Sequence, residues 1–118
     1  MATPNNFRMT AGDTKVLVVT VTDDDGLAVD LTGATVKWQA ARSFGKDAAI
    51  SKATGGSGIV LNDPANGQFT ITLNPSDTED LSGEYFHEAE VTATDTTIST
   101  VLQGSFKINP RLIASTAT

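Results

Sequence analysis

The sequence predicts an all-β fold, a β-sandwich of seven to nine strands with Greek-key connections. Short segments that alternate between apolar and polar residues recur along the chain, and turn signals separate them about every eight to twelve residues. No segment has the apolar spacing of an amphipathic helix of three turns. The 118 residues fit one domain, which we place at residues 1–110, with residues 111–118 as a C-terminal tail. A barrel of similar size is the main alternative.

The first half of the chain contains the strongest strand signal. Residues 15–22, Lys-Val-Leu-Val-Val-Thr-Val-Thr, are rich in β-branched residues and contain neither glycine nor proline. Their alternation gives one face three apolar side chains, those of Leu17, Val19 and Val21. The sequence Asp-Asp-Asp-Gly at 23–26 then predicts a tight turn, because glycine accepts a positive φ at low cost. Alternation resumes at 34–40, where Trp38 is predicted to be a core ring.

The second half repeats the pattern of strand and turn. Strands are predicted at 58–61, 68–73, 84–94 and 98–108. The pair Asn66-Gly67 indicates a hairpin between the first two of these strands. Ser76 and Glu79 have the spacing of a capping box, which predicts one helical turn before the third. The segment 42–57 is ambiguous, since residues 48–52 fit either a short strand or one helical turn.

One corner indicates the type of sandwich. Residues 77–83, Asp-Thr-Glu-Asp-Leu-Ser-Gly, form a polar corner that leads directly into the strand 84–94, and Tyr85 stands at the start of that strand. A tyrosine in this place pins a corner of immunoglobulin-like sandwiches, because its hydroxyl bonds to the backbone a few residues upstream. The corner therefore predicts an immunoglobulin-like β-sandwich.

Composition excludes several classes of function. The chain has no cysteine, so it forms no disulfide and no thiolate metal site. Its net charge of -6 and its eight scattered basic residues disfavour binding to nucleic acid. The longest apolar run, residues 16–19, is far too short to cross a bilayer, and the N-terminus lacks the features of a signal peptide. We therefore expect a protein made in a cytoplasm, without nucleic-acid or membrane partners.

Four carboxylates near the end of the first long strand are the candidate metal ligands: Asp23, Asp24, Asp25 and Asp30. Calcium prefers several oxygen ligands, which loops of this kind supply. The spacing does not match an EF-hand loop, because Leu27 stands where a ligand is needed. A solvated polar turn is the simpler interpretation, so no metal and no other cofactor is predicted.

No catalytic residue is predicted. His87 is the one histidine of the chain, and strand alternation places its neighbours Glu84, Glu88 and Glu90 on the opposite face. No nucleophile elbow is present, and one histidine without cysteine is a poor basis for a zinc site. We expect His87 to be half-buried beside the corner tyrosine. The glutamates should form a solvated face, on which Phe86 contacts a partner.

The turn and core motifs of residues 8–110 resemble a known family. The motifs are Gly-Asp-Thr at 12–14, Val-Thr-Val-Thr-Asp-Asp-Asp-Gly at 19–26, Asp-Leu-Thr-Gly-Ala-Thr-Val-Lys-Trp at 30–38, Gly-Gln-Phe-Thr-Ile at 67–71, Asp-Thr-Glu-Asp-Leu-Ser-Gly-Glu-Tyr at 77–85 and Thr-Val-Leu-Gln-Gly-Ser-Phe-Lys-Ile-Asn-Pro at 100–110. Together they look like the Ig-like domain of tailed-phage virion proteins, and they are similar to the N-terminal domain of phage baseplate upper proteins.

The resemblance implies a non-enzymatic structural protein of a bacteriophage particle, in the tail, neck, baseplate or capsid surface. Such a protein would be made in the host cytoplasm and reside in the virion. Its partners would be other virion proteins and further copies of itself, met through sheet edges that suit strand addition. The predicted contact residues are Phe86, Glu84 and Glu88 on the acidic face, Arg8 in the N-terminal segment 1–8, and Arg111 and Leu112 in the tail.

The alternative is a carbohydrate- or cell-surface-binding immunoglobulin-like module. Aromatic side chains stack on sugar rings, so Trp38, Tyr85 or Phe86 would form the platform. An enzyme is the third class, and it is disfavoured because nothing in the sequence pairs an acid and a base in a cleft.

Overall fold

Nine strands and one short helix make up the part of the chain that the computed structural model describes, residues 3–4, 6–56 and 58–110. The strands are β1 Thr3–Pro4, β2 Phe7–Thr10, β3 Lys15–Thr20, β4 Thr35–Ala41, β5 Ile50–Thr54, β6 Gly58–Asp63, β7 Gln68–Leu73, β8 Gly83–Thr92 and β9 Ile98–Asn109. The helix α1 spans Pro75–Thr78, and a 3-10 turn spans Pro64–Asn66. The prediction of an all-β fold is confirmed.

The strands form one continuous ladder with two halves. The first half has the order β1–β9–β8–β4–β5, and β2 also pairs with β9; the second half has the order β6–β7–β3. Two parallel residue pairs between β5 and β6 join the halves. The buried side chains of both halves belong to one hydrophobic core, so the halves face each other as a sandwich.

Strand alternation selects the side chains of this core. On β4, Val36, Trp38 and Ala40 are buried, while the residues between them are exposed. On β7, Phe69 and Ile71 are fully buried. Each such large apolar side chain contributes about 1.5–3 kcal/mol when it leaves water. The predicted inward face of the first long strand is confirmed, since Leu17, Val19 and Val21 are all buried.

The ambiguous segment after β4 contains a strand and not a helical turn. β5 runs antiparallel to β4, with Ala40 opposite Ile50 and Trp38 opposite Lys52. This pairing turns the side chains of Ile50 and Lys52 inward.

The helical turn before β8 is present, but its predicted capping residues are wrong. Pro75 occupies the first helical turn, where its missing N–H costs nothing. The helix therefore begins after Asn74, whose N–H donates to Asp77 Oδ2 at 2.6 Å. Glu79, predicted as the acidic partner of Ser76, is instead the residue that ends the helix.

The described part of the N-terminal segment 1–8, which was predicted as a contact segment, lies along β9 of its own chain. Phe7–Thr10 pairs in parallel with Phe106–Asn109 of the same chain, and Thr3–Pro4 pairs with Leu102 and Gln103. Arg8 is exposed on this strand. The backbone groups of the segment are therefore used within the domain, where they cover one side of β9.

Gly67 closes the hairpin between β6 and β7, as the sequence predicted. Its φ of 73° lies in the left-handed region that favours glycine. A Cβ atom here would lie 2.6 Å from the carbonyl oxygen of Val21 and 2.7 Å from that of Val29. The turn thus packs directly against the backbone of the β3–β4 connection.

Candidate interaction surfaces

His87 lies in the core rather than half-exposed. Its side chain is 1% exposed, and Trp38 Nε1 donates a hydrogen bond of 3.0 Å to its Nδ1. The rings of Phe7 and Phe106 meet it edge-on, with centroid distances of 5.4 and 5.6 Å. A group enclosed in this way meets no substrate from solvent, so its arrangement is structural.

Tyr85 is also buried, and it is held differently from the prediction. Within the described residues its hydroxyl makes no hydrogen bond to the backbone upstream. The Arg42 guanidinium carbon instead lies 4.3 Å from the centre of its ring, a cation–π distance. Gly83 makes room for this arginine, because a Cβ atom there would lie 2.6 Å from Arg42 Nη1. Sequence reasoning missed Arg42, which falls in the ambiguous segment.

Two of the four candidate calcium ligands, Asp23 and Asp30, accept hydrogen bonds within turns. Asp23 Oδ1 accepts hydrogen bonds from the N–H groups of Asp25 and Leu27, at 2.9 and 3.0 Å. Hydrogen bonds from the Thr32 hydroxyl and N–H, at 2.6 and 2.9 Å, lower the pKa of the Asp30 carboxyl. Asp24, like the other three, is exposed. Among the described residues no group of three or more acidic, histidine or cysteine side chains is arranged to hold a metal ion.

Three of these aspartates line a cavity at one end of the sandwich. It has a volume of about 270 Å³ and lies between the β3–β4 connection and the β8–β9 hairpin. Buried Val91 and Val101 contribute to its wall, and Asp23, Asp24 and Asp30 also line it.

The outer face of β4, β8 and β9 carries paired polar and charged groups. Glu90 lies opposite Lys37 on the neighbouring strand. Glu88 Oε2 accepts a hydrogen bond of 2.9 Å from Gln103 Nε2. Glu84 is exposed on the same face. Cross-strand pairs of this kind are typical of a solvated sheet surface, and they place the predicted contacts Glu84 and Glu88 in ordinary surface positions.

Phe86 is exposed and has an aromatic neighbour. It is 37% exposed, and its ring centroid lies 5.4 Å from that of Phe44, which is 63% exposed. Phe44 belongs to the β4–β5 loop, within the ambiguous segment, so sequence reasoning did not connect the two rings. The other predicted contacts, Arg111 and Leu112, lie outside the described residues.

The outer face of β3, β6 and β7 has a different character. We call it the neutral face, and it consists of Val16, Val18, Thr20, Val60, Asn62, Gln68, Thr70 and Thr72. None of these eight side chains is charged. Val16, Val18 and Val60 are 52%, 58% and 63% exposed. Thr70 lies opposite both Val18 and Val60, so the valines of the two outer strands flank it in one row.

The polar groups of the neutral face bond to one another. The Thr70 hydroxyl donates to Asn62 Oδ1 at 2.8 Å, and Asn62 Nδ2 donates to Gln68 Oε1 at 2.6 Å. Removing a polar group from water costs little when it is already hydrogen-bonded. The neutral face can therefore be covered by another surface at a low desolvation cost.

One side of β3 has no neighbouring strand in the described ladder. β3 is the last strand of its half, after β7. The Val21 N–H donates to Gly67 O at 2.8 Å, so N–H groups of odd-numbered residues point toward β7. Because the direction alternates along an antiparallel strand, the N–H and C=O groups of Val16, Val18 and Thr20 point away from β7.

No protein-family model and no curated protein matches the chain. Among solved structures, the NK cell receptor Nkp44, described as a triggering partner in natural cytotoxicity, aligns with a TM-score of 0.55 at 15% identity. The alignment covers 92% of this chain and 100% of that one. Tim-1 aligns with a TM-score of 0.44 at 20% identity, covering 96% and 98%.

The chain is an immunoglobulin-like β-sandwich. In antibody domains a cysteine follows the corner tyrosine by two residues, and its disulfide packs against a buried tryptophan of the same sheet. In this immunoglobulin-like sandwich His87 stands two residues after Tyr85. His87 thus stands at the sequence position of that cysteine, and its hydrogen bond with Trp38 joins β8 to the neighbouring strand β4. No helix of the described residues is long and apolar enough to span a membrane.

Proposed function

We propose that the chain is a non-enzymatic structural protein of a bacteriophage particle, a component of the tail, neck, baseplate or capsid surface. It acts through protein–protein assembly, and its contact surface is the neutral face. The observation that carries this proposal is a set of three valines, each more than half exposed, on the neutral face, whose eight side chains are uncharged. Contiguous apolar surface of this kind marks interaction sites in soluble proteins.

The contrast between the two outer faces supports this choice of surface. Charged residues make up 19% of the chain. Glu84, Glu90 and Lys37 lie on the outer face of β4 and β8, while the eight side chains of the neutral face are uncharged, with Asp63 opposite Gln68 at its margin. Surfaces that stay in water carry interspersed charges, and the buried centres of interfaces are depleted in them. The predicted acidic contact face is therefore the less suitable of the two.

The phage setting rests on the resemblance of the turn and core motifs, above all 30–38 and 77–85. In this setting the partners are other virion proteins and further copies of the chain, and the protein resides in the virion after synthesis in the host cytoplasm. Nucleic acid is not among the partners, since a net charge of -6 opposes contact with phosphate.

The proposal is tested by co-expressing the chain with the products of the genes that flank it and measuring co-purification. Val60→Lys places a charge on the neutral face, and Thr35→Lys places the same charge on an exposed position of β4. We expect the wild type and Thr35→Lys to capture a flanking virion protein, and Val60→Lys to lose at least about tenfold in affinity, the effect of about 1.4 kcal/mol. Capture of no flanking product, or equal capture by Val60→Lys, would contradict the proposal. A thermal melt checks that both variants fold.

A carbohydrate- or cell-surface-binding module is the second candidate function, and it depends on Phe86 and Phe44. Trp38 and Tyr85, two of the three predicted platform residues, are 0% and 2% exposed and cannot stack on a sugar. The exposed pair of phenylalanine rings is a remaining platform. Glycan-array binding that disappears in Phe86→Ala and persists in Val60→Lys would favour this function over assembly.

A further inference from the structure

We infer that β3 of one chain pairs antiparallel with β3 of a second copy, about a two-fold axis at Val18. The two second halves, each β6–β7–β3, then become one six-stranded sheet. The inference rests on the proposed function in one respect, since it names a second copy as the partner of the strand that borders the neutral face. It is tested on the purified chain alone, so its outcome is separate from the capture of virion proteins.

The backbone of β3 is complementary to itself. Val16, Val18 and Thr20 direct their N–H and C=O groups away from β7, at every second residue. In an antiparallel pair, residues that exchange two hydrogen bonds also recur at every second position. With Val18 opposite its own counterpart, Val16 lies opposite Thr20, and all of these outward groups find partners. A two-fold axis generates this contact from a single surface.

The side chains continue across the same junction. Val18 meets the second Val18, and Val16 meets Thr20, all on the outer side of the sheet, where cross-strand β-branched pairs are favourable. Within the described residues, β3 lacks two of the features that usually protect a sheet edge. The strand contains no proline, and its pairing with β7 has no bulge. Its one charged residue, Lys15, has its Nζ 5.6 Å from the centre of the Phe7 ring, directed at β2 on the other half of the sandwich.

The opposite end of the ladder differs. There β9 is covered by β1 and β2 along Leu102–Gln103 and Phe106–Asn109. Sheet edges attract further strands unless they are covered or charged. At that end the outermost described strands are β1 and β2, of two and four residues, whereas β3 presents an unbroken edge of six residues.

Charge identifies the partner as a second copy. A foreign partner of a chain with net charge -6 gains affinity by presenting lysine and arginine to its carboxylates. A second copy has the same negative charge, so two copies associate best where uncharged side chains meet, and the outward side chains of β3, those of Val16, Val18 and Thr20, are uncharged. The long-range repulsion between the copies remains, and salt screens it. Association should therefore strengthen as ionic strength rises.

The size of the contact sets its strength. A stable interface buries about 800 Å² on each partner, and one edge of six residues with the adjoining valines covers less. We expect a dimer that forms reversibly between micromolar and millimolar concentrations.

Sedimentation equilibrium over this concentration range, at low and high salt, tests the inference. Val18→Lys introduces repelling ammonium groups at the two-fold axis, and Val18→Pro removes an outward N–H that β7 does not use. Thr35→Lys is the matched control on β4. The wild type and Thr35→Lys should dimerise more strongly in high salt, and both Val18 variants should weaken the dimer at least about tenfold. A wild type that stays monomeric at millimolar concentration overturns the inference, as does a Val18→Lys variant that folds and dimerises like the wild type.

Discussion

Asp77→Asn should destabilise the domain far more than Lys52→Met, although the two residues form one ion pair. Lys52 Nζ lies 2.7 Å from Asp77 Oδ2, and the side chains are 6% and 21% exposed. Lys52 points inward from β5, and its stem fills the space beside Gly58, where a Cβ atom would lie 2.4 Å from Lys52 Cδ. Asp77 Oδ2 also accepts the Asn74 N–H at 2.6 Å. The pair thus ties β5 to the corner before β8.

The asymmetry follows from what each substitution leaves behind. Asp77→Asn keeps an oxygen for the Asn74 N–H but leaves a buried ammonium without a counter-charge. Loss of one partner of a buried pair costs about 3–5 kcal/mol. We take about 3 kcal/mol, because water reaches Asp77. Lys52→Met keeps the apolar stem and leaves a carboxylate that retains its backbone donor and some water, so it should cost no more than about 1 kcal/mol.

Thermal unfolding followed by the fluorescence of Trp38 measures both effects, because this single tryptophan is fully buried in the folded state. At about 4 °C per kcal/mol, Asp77→Asn should lower the melting temperature by about 12 °C. The double variant with Lys52→Met should recover most of that loss. Equal destabilisation by the two single variants, or a double variant no more stable than Asp77→Asn, would refute this reasoning.

Three further predictions concern single positions. Gly67→Ala should lower the free energy of unfolding by at least about 2 kcal/mol in a thermal melt, because a positive φ and two close carbonyl oxygens oppose a Cβ atom. Gly45→Ala, with a similar φ and open space around it, should lower it by less. Equal losses in the two variants would exclude a contribution from the two carbonyl contacts. Thr32→Val should raise the pKa of Asp30 toward its ordinary value in an NMR titration. Because the pKa of Asp30 is lowered in the folded state, the ionised carboxyl stabilises the fold at pH values above its ordinary pKa. This stabilisation is lost as the pH falls through the folded-state pKa, so the stability of the variant should depend less on acid. An unchanged titration would contradict this cause. Trp38→Phe removes the indole donor to the buried imidazole and should lower the free energy of unfolding by about 2 kcal/mol, measured by circular dichroism. A variant as stable as the wild type would show that the bond is dispensable.

Local pattern was enough to predict most strands and their buried faces. Alternation alone identified Leu17 and Val19 as inward and Trp38 as a core ring, and the Asn-Gly pair identified the turn at Gly67. These features depend on neighbours within a few residues. The polar corner before Tyr85 likewise predicted the immunoglobulin-like sandwich.

Features that depend on distant parts of the chain were not predictable in this way. The pairing of Phe7–Thr10 with β9 joins segments about a hundred residues apart, and no short pattern announces it. The contact of Phe44 with Phe86 and the ion pair of Lys52 arise from the course of the β4–β5 segment, which has no clear period. Alternation placed Val16 and Val18 on an outward face, but strand order was needed to bring Val60 beside them.

The most direct test of self-association through the β3 edge of the neutral face is a single-cysteine cross-link. The chain contains no cysteine, so Val18→Cys carries one thiol and Val60→Cys is a control on the same face. At a two-fold axis at residue 18 the paired Cα atoms are about 5.5 Å apart, within the range of a disulfide. Under mild oxidation Val18→Cys should form a covalent dimer on a non-reducing gel much faster than Val60→Cys. Equal rates for the two variants, or no covalent dimer at millimolar concentration, would contradict the account.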